Sequence, residues 1–461
     1  MQPVHTREEL RAADEAAIAE VGLDILVRRA GAAVAHAALR LLGTAYGKRA
    51  VVVAGRGHNG DDGRVAASML RRRGVRVTEL DPRALPEELP ACDLVIDAAY
   101  GTGFRGEYRA PSVPEGTPVL AIDVPSGLDS DTGLACEGAV RATETVTMAA
   151  LKPGLLMGDG PSHCGTVLVE PIGIPVAPGG IWLVEDRDIA AWLPGREPET
   201  NKWRTACLVV AGSPGMLGAA RFSTGAAQRA GAGMVRWCVP GASPEDLPAS
   251  EAVAMAVPGT DFADAVLSEL RRCRSLVIGP GLGSEPGVVD SVRRLVAEAE
   301  LPVIVDADGL GALGAGDTAR QVLGGRKVPA VLTPHDGEYA RLAATSGAER
   351  LPGGDRVAAA RTLAEGLGAI VLLKGSTTAV AAPDGETFLV TSGSSRLATA
   401  GTGDVLSGVI GAFLARGLDP LRAAALAAHV HGRAAGLGLA EGLVAGDLPE
   451  LVALVISGAH G

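Results

Sequence analysis

Short apolar runs alternate with longer stretches of alanine, leucine and charged residues along this chain. Apolar runs bounded by turn residues predict buried strands, and the longer stretches predict helices. In the first part of the chain the pattern predicts helices at residues 6–42 and 62–73 and strands at 49–54, 75–80, 94–98 and 119–123. This alternation is typical of a doubly wound parallel sheet.

The alternation is interrupted at residues 171–180, where prolines and glycines are too dense for a helix or a strand. We place a domain boundary there, which divides the chain into residues 1–178 and 179–461. Beyond it the pattern predicts strands at 207–211, 276–279, 303–306, 331–333 and 370–373 and helices at 404–416 and 421–437, the last of which closes the second domain. The predicted fold class is α/β in two domains, with a Rossmann-like doubly wound sheet in the first.

Composition restricts the function. The 461 residues exceed what one core normally serves, and aromatic residues make up only 3%, so the cores must be aliphatic. A net charge of −11 argues against nucleic-acid binding. The six cysteines lack a Cys-x-x-Cys spacing, and there is no basic leader or long apolar span. We therefore expect a cytoplasmic protein that binds small molecules and neither nucleic acid nor a membrane.

The segment Gly401-Thr402-Gly403-Asp404-Val405-Leu406-Ser407-Gly408 carries the strongest chemical signal. Small residues at the start of a helix let backbone N–H groups approach a phosphate, because that helix end favours anions. Asp404 lies beside the group that such a phosphate would activate. The segment predicts phosphate chemistry with a carboxylate base.

Further candidate residues follow other predicted strands of the second domain. The strand at 369–373 ends at Lys374, one of only five lysines in the chain, with Ser376 and Thr377 beyond it. Segments 218–220, 279–283, 306–310 and 333–338 also adjoin strands, so one crevice is expected to gather them. His335 lies on a rigid loop tip, and we expect it to contact a ligand.

In the first domain, Gly55-Arg56-Gly57-His58-Asn59-Gly60 follows a strand in a Gly-x-Gly-x-x-Gly pattern. With Glu79 as a ribose-binding acid, the pattern alone suggests a nicotinamide oxidoreductase. Five polar residues at strand ends suggest another use, a hard cation such as K⁺ or a proton relay, unless they only cap helices and loops. They are Asn59, Asp62, Asp97, Asp123 and Ser126.

Three segments of this domain resemble the NAD(P)H-hydrate epimerase domain: residues 55–63, 97–107 and 123–128, within a similarity of about residues 6–170. The resemblance implies K⁺ ligation by Asn59, Asp97 and Ser126 and a proton shuttle at Asp123. It implies that the hydrated dinucleotide is bound by Asp123 and by His58, Asn59, Gly60, Asp61, Asp62, Gly101, Thr102, Gly103, Phe104, Arg105, Gly106 and Glu107.

Two positions depart from that family's first motif, where His58 replaces an asparagine and Asp61 a glycine. The charge of Asp61 would repel a pyrophosphate and weaken binding, unless its side chain turns to solvent or pairs with Arg64.

About residues 183–461 resemble ADP-dependent NAD(P)H-hydrate dehydratase, a member of the ribokinase-like superfamily. The resemblance rests on Asn201-Lys202, where the family commonly has His-Lys, and on residues 279–283, 306–310, 333–338, 374–375 and 401–408. It implies ADP binding by Lys374, Gly375, Ser376, Thr377, Thr378 and Gly403. The hydrate would be bound by Ala219, Gly281, His335 and Asp404.

The two resemblances imply repair of hydrated NADH (NADHX) and hydrated NADPH (NADPHX). Asp404 would act as base while ADP, with Mg²⁺, phosphorylates the C6 hydroxyl, and the ring nitrogen would then expel phosphate. The epimerase domain would interconvert R and S hydrates by reversible loss of the hydroxyl or by ring opening. Three alternatives stay open: a kinase of a small alcohol, an oxidoreductase and a non-enzymatic nucleotide sensor. We also expect a homo-oligomer.

Overall fold

The computed structural model describes residues 1–195, 199–344 and 354–460. They divide into two compact units, an amino-terminal unit of Gln2–Ile181 and a carboxy-terminal unit that begins at Trp182. No helix among the described residues is long and apolar enough to span a lipid bilayer. All six cysteines are free thiols, and four of them are buried.

The sheet of the amino-terminal unit is parallel, with the strand order β3-β2-β4-β5-β6-β7. The strands of this unit are β1 (Gln2–Val4), β2 (Arg49–Ala54), β3 (Arg76–Leu80), β4 (Leu94–Ala98), β5 (Val119–Ile122), β6 (Glu144–Met148) and β7 (Thr166–Glu170). The chain leaves β2 for β3 on one side and returns on the other side at β4. This reversal opens a crevice at the carboxyl ends of β2 and β4, where doubly wound sheets bind ligands.

The helices of the amino-terminal unit are α1 (Arg7–Val21), α2 (Leu23–Leu42), α3 (His58–Arg72), α4 (Pro153–Leu156) and α5 (Gly160–His163). Both faces of the sheet are buried, because Val52 and Ile96 belong to one apolar cluster and Val51 and Val95 to another. Burial on both faces explains why the strands are continuous apolar runs rather than alternating ones.

Two helix predictions in this unit are wrong in their bounds. The helix predicted at 6–42 is two helices, because Gly22 lies between them with a φ of +85°. Helix α3 begins at His58 rather than at residue 62, so Asn59 lies in its first turn. Glycine is required at position 60, since a Cβ atom there would lie 1.9 Å from the carbonyl oxygen of Gly55. Gly60 therefore serves close packing between the helix and the end of β2.

The sheet of the carboxy-terminal unit has the order β8-β17-β16-β15-β14-β13-β12-β9-β10-β11. Its strands are β8 (Ile181–Leu183), β9 (Ala206–Val210), β10 (Met234–Cys238), β11 (Val253–Ala254), β12 (Ser275–Ile278), β13 (Val303–Val305), β14 (Val331–Leu332), β15 (Ile370–Leu373), β16 (Thr378–Ala381) and β17 (Thr387–Val390). The seven strands between β15 and β11 in the sheet order, these two included, run parallel. Strand β16 pairs antiparallel with both of its neighbours. The strand order reverses between β9 and β12, which again marks a crevice.

The helices of the carboxy-terminal unit surround a core built on α14. They are α6 (Asp186–Trp192), α7 (Leu217–Arg229), α8 (Ala263–Leu270), α9 (Pro286–Glu298), α10 (Asp308–Leu313), α11 (Asp317–Leu323), α12 (Asp336–Ala343), α13 (Arg356–Leu367), α14 (Thr402–Ala415), α15 (Pro420–Leu437) and α16 (Leu448–His460). Short 3₁₀ helices lie at Lys202–Thr205, Pro244–Asp246 and Ser395–Leu397. The prediction that a helix at 421–437 closes the domain is wrong, because α16 follows it and buries Leu448 and Val452.

Candidate active sites

A cavity of about 520 Å³ lies in the amino-terminal unit, at the crevice beside β2 and β4. One wall is apolar and includes Leu10 and Ile18 of α1 and Leu26 of α2. Eight residues of the predicted substrate site line the cavity: His58, Asn59, Asp62, Gly101, Thr102, Gly103, Phe104 and Asp123. The strand ends thus converge, and the size suits a nicotinamide-sized ring.

Asp123 lies directly after β5 with a φ of +68°, an unusual conformation for a residue other than glycine. Its Oδ1 atom accepts a hydrogen bond from Nζ of Lys152 at 2.5 Å and one from the backbone N of Met148 at 3.2 Å. Lys152 is only 2% exposed, and its Nζ also donates to Thr147 Oγ1 and Met148 O, each at 2.8 Å. Asp123 is therefore held in one orientation by a buried ion pair.

Asp62 lies in the same cavity but has a different environment. Its side chain is buried, and burial is the largest cause that raises its pKa to about 8. The carboxylates of Asp123, Asp61 and Asp14 raise the pKa of Asp62 further. Asp62 is therefore protonated at neutral pH.

Five predicted substrate residues do not line this cavity: Gly60, Asp61, Arg105, Gly106 and Glu107. Asp61 pairs with Arg64, with 2.9 Å between Oδ1 and Nη1, which was one of the two ways its charge could be accommodated. The guanidinium of Arg105 lies 3.5 Å from Asp129 and donates to the carbonyl of Phe104.

The three predicted K⁺ ligands gather around the backbone of Tyr100. Asn59 Nδ2 donates to Tyr100 O at 2.9 Å, and Ser126 Oγ accepts from Tyr100 N at 2.9 Å. Ser126 also donates through Oγ and N to the two oxygens of Asp97, at 2.7 and 2.8 Å. Asp97 is 2% exposed and has no ion-pair partner among the described residues, and burial raises its pKa to about 6.

The carboxy-terminal unit places the predicted phosphate loop at the start of α14. Gly401 has a φ of +90°, and a Cβ atom there would lie 2.7 Å from the ring of Phe222, so only glycine fits. A cavity of about 580 Å³ adjoins this helix end. Six predicted site residues line it: His335, Lys374, Gly375, Ser376, Thr378 and Gly403.

Lys374 interacts with two carboxylates beside this cavity, of which Asp306 is buried. Its Nζ lies 3.0 Å from Asp306 Oδ1 and 3.8 Å from Glu338 Oε2. The other oxygen of Asp306 accepts a hydrogen bond from Ser407 Oγ at 2.6 Å. Burial alone would lower the pKa of Lys374, but the two carboxylates outweigh it and raise that pKa. The lysine is therefore charged and fixed at the mouth of the phosphate loop.

Asp404 lies in the first turn of α14, next to Gly403. A Cβ atom on Gly403 would lie 3.6 Å from Lys374 Nζ and 3.9 Å from Asp306 Oδ2. Burial is the largest cause that raises the pKa of Asp404 to about 6, and Asp306 adds to it, whereas Lys374 opposes the shift. Asp404 is therefore ionised at neutral pH but readily protonated, as a general base requires.

Four predicted residues do not line this cavity, namely Asp404, Ala219, Gly281 and Thr377, and His335, which does line it, has a second task. Ala219 and Gly281 adjoin each other, because a Cβ atom on Gly281 would lie 3.0 Å from that of Ala219, and neither lines the cavity. Thr377 is buried outside the lining, and its carbonyl accepts from Arg356 Nε at 3.2 Å. His335 lines the cavity, but its Nδ1 accepts from Gly337 N at 3.0 Å and so caps α12.

Similarity to known proteins covers both units. A family model described as YjeF-related protein N-terminus matches residues 23–87 and 78–154, and one described as NAD(P)H-hydrate dehydratase matches residues 207–456. The chain is 38% identical to the bifunctional NAD(P)H-hydrate repair enzyme Nnr of Salinibacter ruber, over 94% of this chain and 91% of that protein. It is 37% identical to the enzyme of the same name from Mycobacterium leprae, over 99% of this chain and 98% of that protein.

The chain belongs to the family of bifunctional NAD(P)H-hydrate repair enzymes. A solved structure supports the fold of the carboxy-terminal unit. It is the ADP/ATP-dependent NAD(P)H-hydrate dehydratase from Bacillus subtilis, co-crystallised with ATP and Mg²⁺, which is 29% identical with a TM-score of 0.50. The match covers 60% of this chain and 98% of that one. The predicted two-domain α/β fold, with its ribokinase-like second domain, is thereby confirmed.

One local observation speaks against the oxidoreductase alternative, and another explains a departure from the repair family's pattern. Glu79, the ribose-binding acid of the oxidoreductase alternative, is paired with Arg71 at 2.6 Å and does not line the cavity. Asn201, which departs from the family's histidine, caps a 3₁₀ helix by accepting from Trp203 N at 3.0 Å. That departure therefore has a local structural role.

Three residues of these sites were missing from the predicted set, Asp14, Lys152 and His431, whereas Asp306 and Ser407 lay in predicted segments but had been given no role of their own. Lys152 carried a usable signal, because lysine is rare in this chain. Asp306 also carried one, as an acidic residue at a strand end in the predicted crevice. His431 carried no signal in the sequence, since it lies within an alanine-rich helix. In the structure, burial lowers its pKa to about 4.

Proposed function

We propose that this protein repairs NADHX and NADPHX through two activities in one chain, an isomerase and a lyase. The amino-terminal unit interconverts the R and S hydrates at C6. The carboxy-terminal unit dehydrates the S hydrate with ADP and releases NADH or NADPH, AMP and phosphate. The observation that carries the proposal is the position of Asp404 in the first turn of α14, where the charges of Asp306 and Lys374 both act on its carboxyl group.

In the dehydratase site, Lys374, Gly375, Ser376 and Thr378 hold ADP, and the backbone N–H groups at residues 402–404 face its transferring phosphoryl group. Asp404 takes the proton of the C6 hydroxyl while that oxygen attacks the phosphorus atom. The electron pair of the ring nitrogen then expels phosphate, and loss of the C5 proton restores the C5–C6 double bond. Phosphorylation is required because hydroxide is a poor leaving group.

Mg²⁺ fits this site as a companion of the nucleotide rather than as a resident ion. Among the described residues there is no group of three or more His, Cys, Asp or Glu side chains that could hold a metal ion. The oxygens of Asp306 are engaged by Lys374 and Ser407. Mg²⁺ commonly binds phosphates with few protein ligands, and it would supply charge neutralisation on the phosphates.

In the epimerase site, Asp123 moves the proton that the exchange of the C6 hydroxyl requires. K⁺ fits Asn59, Asp97 and Ser126, since Asp97 is a buried carboxylate with no counter-ion in the described part of the chain and the donors are amide, carboxylate and hydroxyl oxygens. The ion would neutralise Asp97 and stabilise the loop at Tyr100. A cytoplasmic location and a homo-oligomeric state remain predictions.

The nearest competing function is a ribokinase-like, ATP-dependent kinase of a small alcohol, which would use the same loop and Asp404. The two are separated by incubating the protein with mixed R and S hydrate and ADP and following recovery of the reduced-nicotinamide absorbance. Full recovery with stoichiometric AMP and phosphate supports both activities. Recovery that stops near half, at the S fraction, leaves the dehydratase alone. A stable phosphorylated alcohol formed from ATP, without recovery, would favour the kinase.

A further inference from the structure

We propose that Asp62 is the proton donor of the epimerase site and acts opposite Asp123, which Lys152 holds as the base. This inference rests on the proposed epimerase function and assigns the acid that the reaction needs. Asp62 and Asp123 line one cavity but have opposite environments. The carboxyl group of Asp62 is buried and forms no ion pair with any residue that the structure describes, whereas that of Asp123 is bound to a buried ammonium group.

The isolation of Asp62 is the main geometric support. Its side chain is 8% exposed and lines the cavity, and within the described residues it has neither a hydrogen-bond partner nor a counter-ion. A buried carboxylate in that position would be strongly unfavourable, whereas a carboxylic acid can donate a hydrogen bond to whatever enters. Lys152 does not offset this cost for Asp62, because the three protons of its Nζ are donated to Asp123, Thr147 and Met148.

The charges that act most strongly on Asp62 favour the same protonation state. The ionisable residues that line the cavity with it are Asp14 of α1, Arg56, His58 of α3, Tyr100, Asp123 and Lys152. Helix α2 contributes only apolar side chains, and Asp61 on α3 is engaged by Arg64. Asp123, Asp61 and Asp14 raise the pKa of Asp62 beyond the effect of burial. Since the pKa reaches about 8, the acid form is present at neutral pH.

The step balances with water as the only other reactant. Asp62 gives its proton to the C6 hydroxyl oxygen, the C6–O bond breaks, water leaves, and the lone pair of the ring nitrogen forms a C=N bond. A water molecule then attacks C6 from the opposite face, Asp123 takes its proton, and the C=N electron pair returns to nitrogen. Proton transfer from Asp123 back to Asp62 through water resets the site. A carboxylic acid with a raised pKa opposite a carboxylate is a recurrent arrangement for this task.

The test compares Asp62→Asn with Asp24→Asn in the full chain. Asp24 is an exposed aspartate of α2 outside the cavity, so its variant removes a charge without touching the site. With pure R hydrate, we expect Asp62→Asn to lower the epimerisation kcat by about 100-fold or more, since general acids contribute this much. KM should change little, and Asp24→Asn should be unaffected. Circular dichroism confirms folding of both variants.

A pH profile provides a readout that a structural role would not change. Epimerisation by the wild type should decline above about pH 8, as Asp62 loses its proton, and the residual rate of Asp62→Asn should lack this limb. A folded Asp62→Asn variant with the wild-type rate, or an unchanged alkaline limb, would overturn the proposal. A wild type that does not convert R to S hydrate at all would instead refute the proposed epimerase function.

Discussion

The two sites of this chain use similar groups in different protonation states. In each, a lysine is bound to one aspartate, Lys152 to Asp123 and Lys374 to Asp306, and a second carboxyl group lies nearby with a raised pKa. That pKa is about 8 for Asp62 but about 6 for Asp404. The neighbours explain the difference, because the charges of three carboxylates add to the effect of burial on Asp62, whereas Lys374 partly offsets the effect of burial on Asp404. One site thus holds an acid at neutral pH and the other a base.

The largest expected effect separates the two activities. Asp404→Asn should lower ADP-dependent dehydration of S hydrate by about 10³-fold, because the general base is lost. Epimerisation should be unchanged, since Asp404 lies in the other compact unit. Steady-state assays with each pure epimer measure both rates. Asp290→Asn, at an exposed position of α9, is the matched control. Near wild-type dehydration by Asp404→Asn would refute the assigned base.

Removing the lysines should reveal how strongly each site depends on its ion pair. Lys152→Met leaves Asp123 without its cation and should destabilise the amino-terminal unit by about 3–5 kcal/mol. Lys374→Met should cost less, roughly 1–3 kcal/mol, because that side chain is 24% exposed.

Denaturation in urea can assign these losses to the two units. All four tryptophans, Trp182, Trp192, Trp203 and Trp237, belong to the carboxy-terminal unit, so their fluorescence reports that unit alone. Lys374→Met should shift the fluorescence transition, whereas Lys152→Met should shift only the circular dichroism. Lys327→Met, at an exposed position, is the control. If Lys152→Met and Lys374→Met shifted the urea transition seen by fluorescence equally, the two ion pairs would not stabilise their units independently.

The sequence predicted the elements whose signals are local. Strands β2 and β15 match their predicted bounds to the residue, because both are built on short aliphatic runs that end at Gly55 and Lys374. The phosphate loop and its carboxylate were also found in one short segment. Strand β6, with its alternating threonines, and the hairpin β16–β17 were missed, since short strands with polar residues lack a distinctive pattern.

Parts of each site that depend on tertiary contacts could not be predicted. Lys152 reaches Asp123 from 29 positions away, and Asp14 enters the same cavity from α1. Arg105 and Glu107 belong to a recognisable motif, yet they lie outside the cavity lining. A motif therefore locates the segment that forms a site but not which of its side chains face the cavity.

The pH dependence of the two activities should have opposite limbs. Dehydration should fall about tenfold per pH unit below about pH 6, as Asp404 becomes protonated, whereas epimerisation should fall above about pH 8, as Asp62 loses its proton. Both profiles can be measured on one preparation with pure R or S hydrate. Profiles that decline on the same side would remove the distinction between the sites.

The smallest expected effect is on stability. The unfolded chain releases the Asp62 proton from about pH 4 upward, but the folded protein keeps it until about pH 8, so this group destabilises the fold increasingly across that window. Asp62→Asn should therefore be more stable than the wild type by roughly 1–2 kcal/mol near pH 8, and less so near pH 5. Urea denaturation at the two pH values tests this. A variant that is less stable than the wild type at both would contradict the raised pKa.

The central claim is that Asp62 is protonated and Asp404 ionised in the same molecule at neutral pH. Difference infrared spectroscopy of the wild type against Asp62→Asn and Asp404→Asn tests it directly. We predict that Asp62→Asn removes the C=O band of a protonated carboxyl group and that Asp404→Asn removes a carboxylate band. Loss of a carboxylate band in both variants would contradict the account.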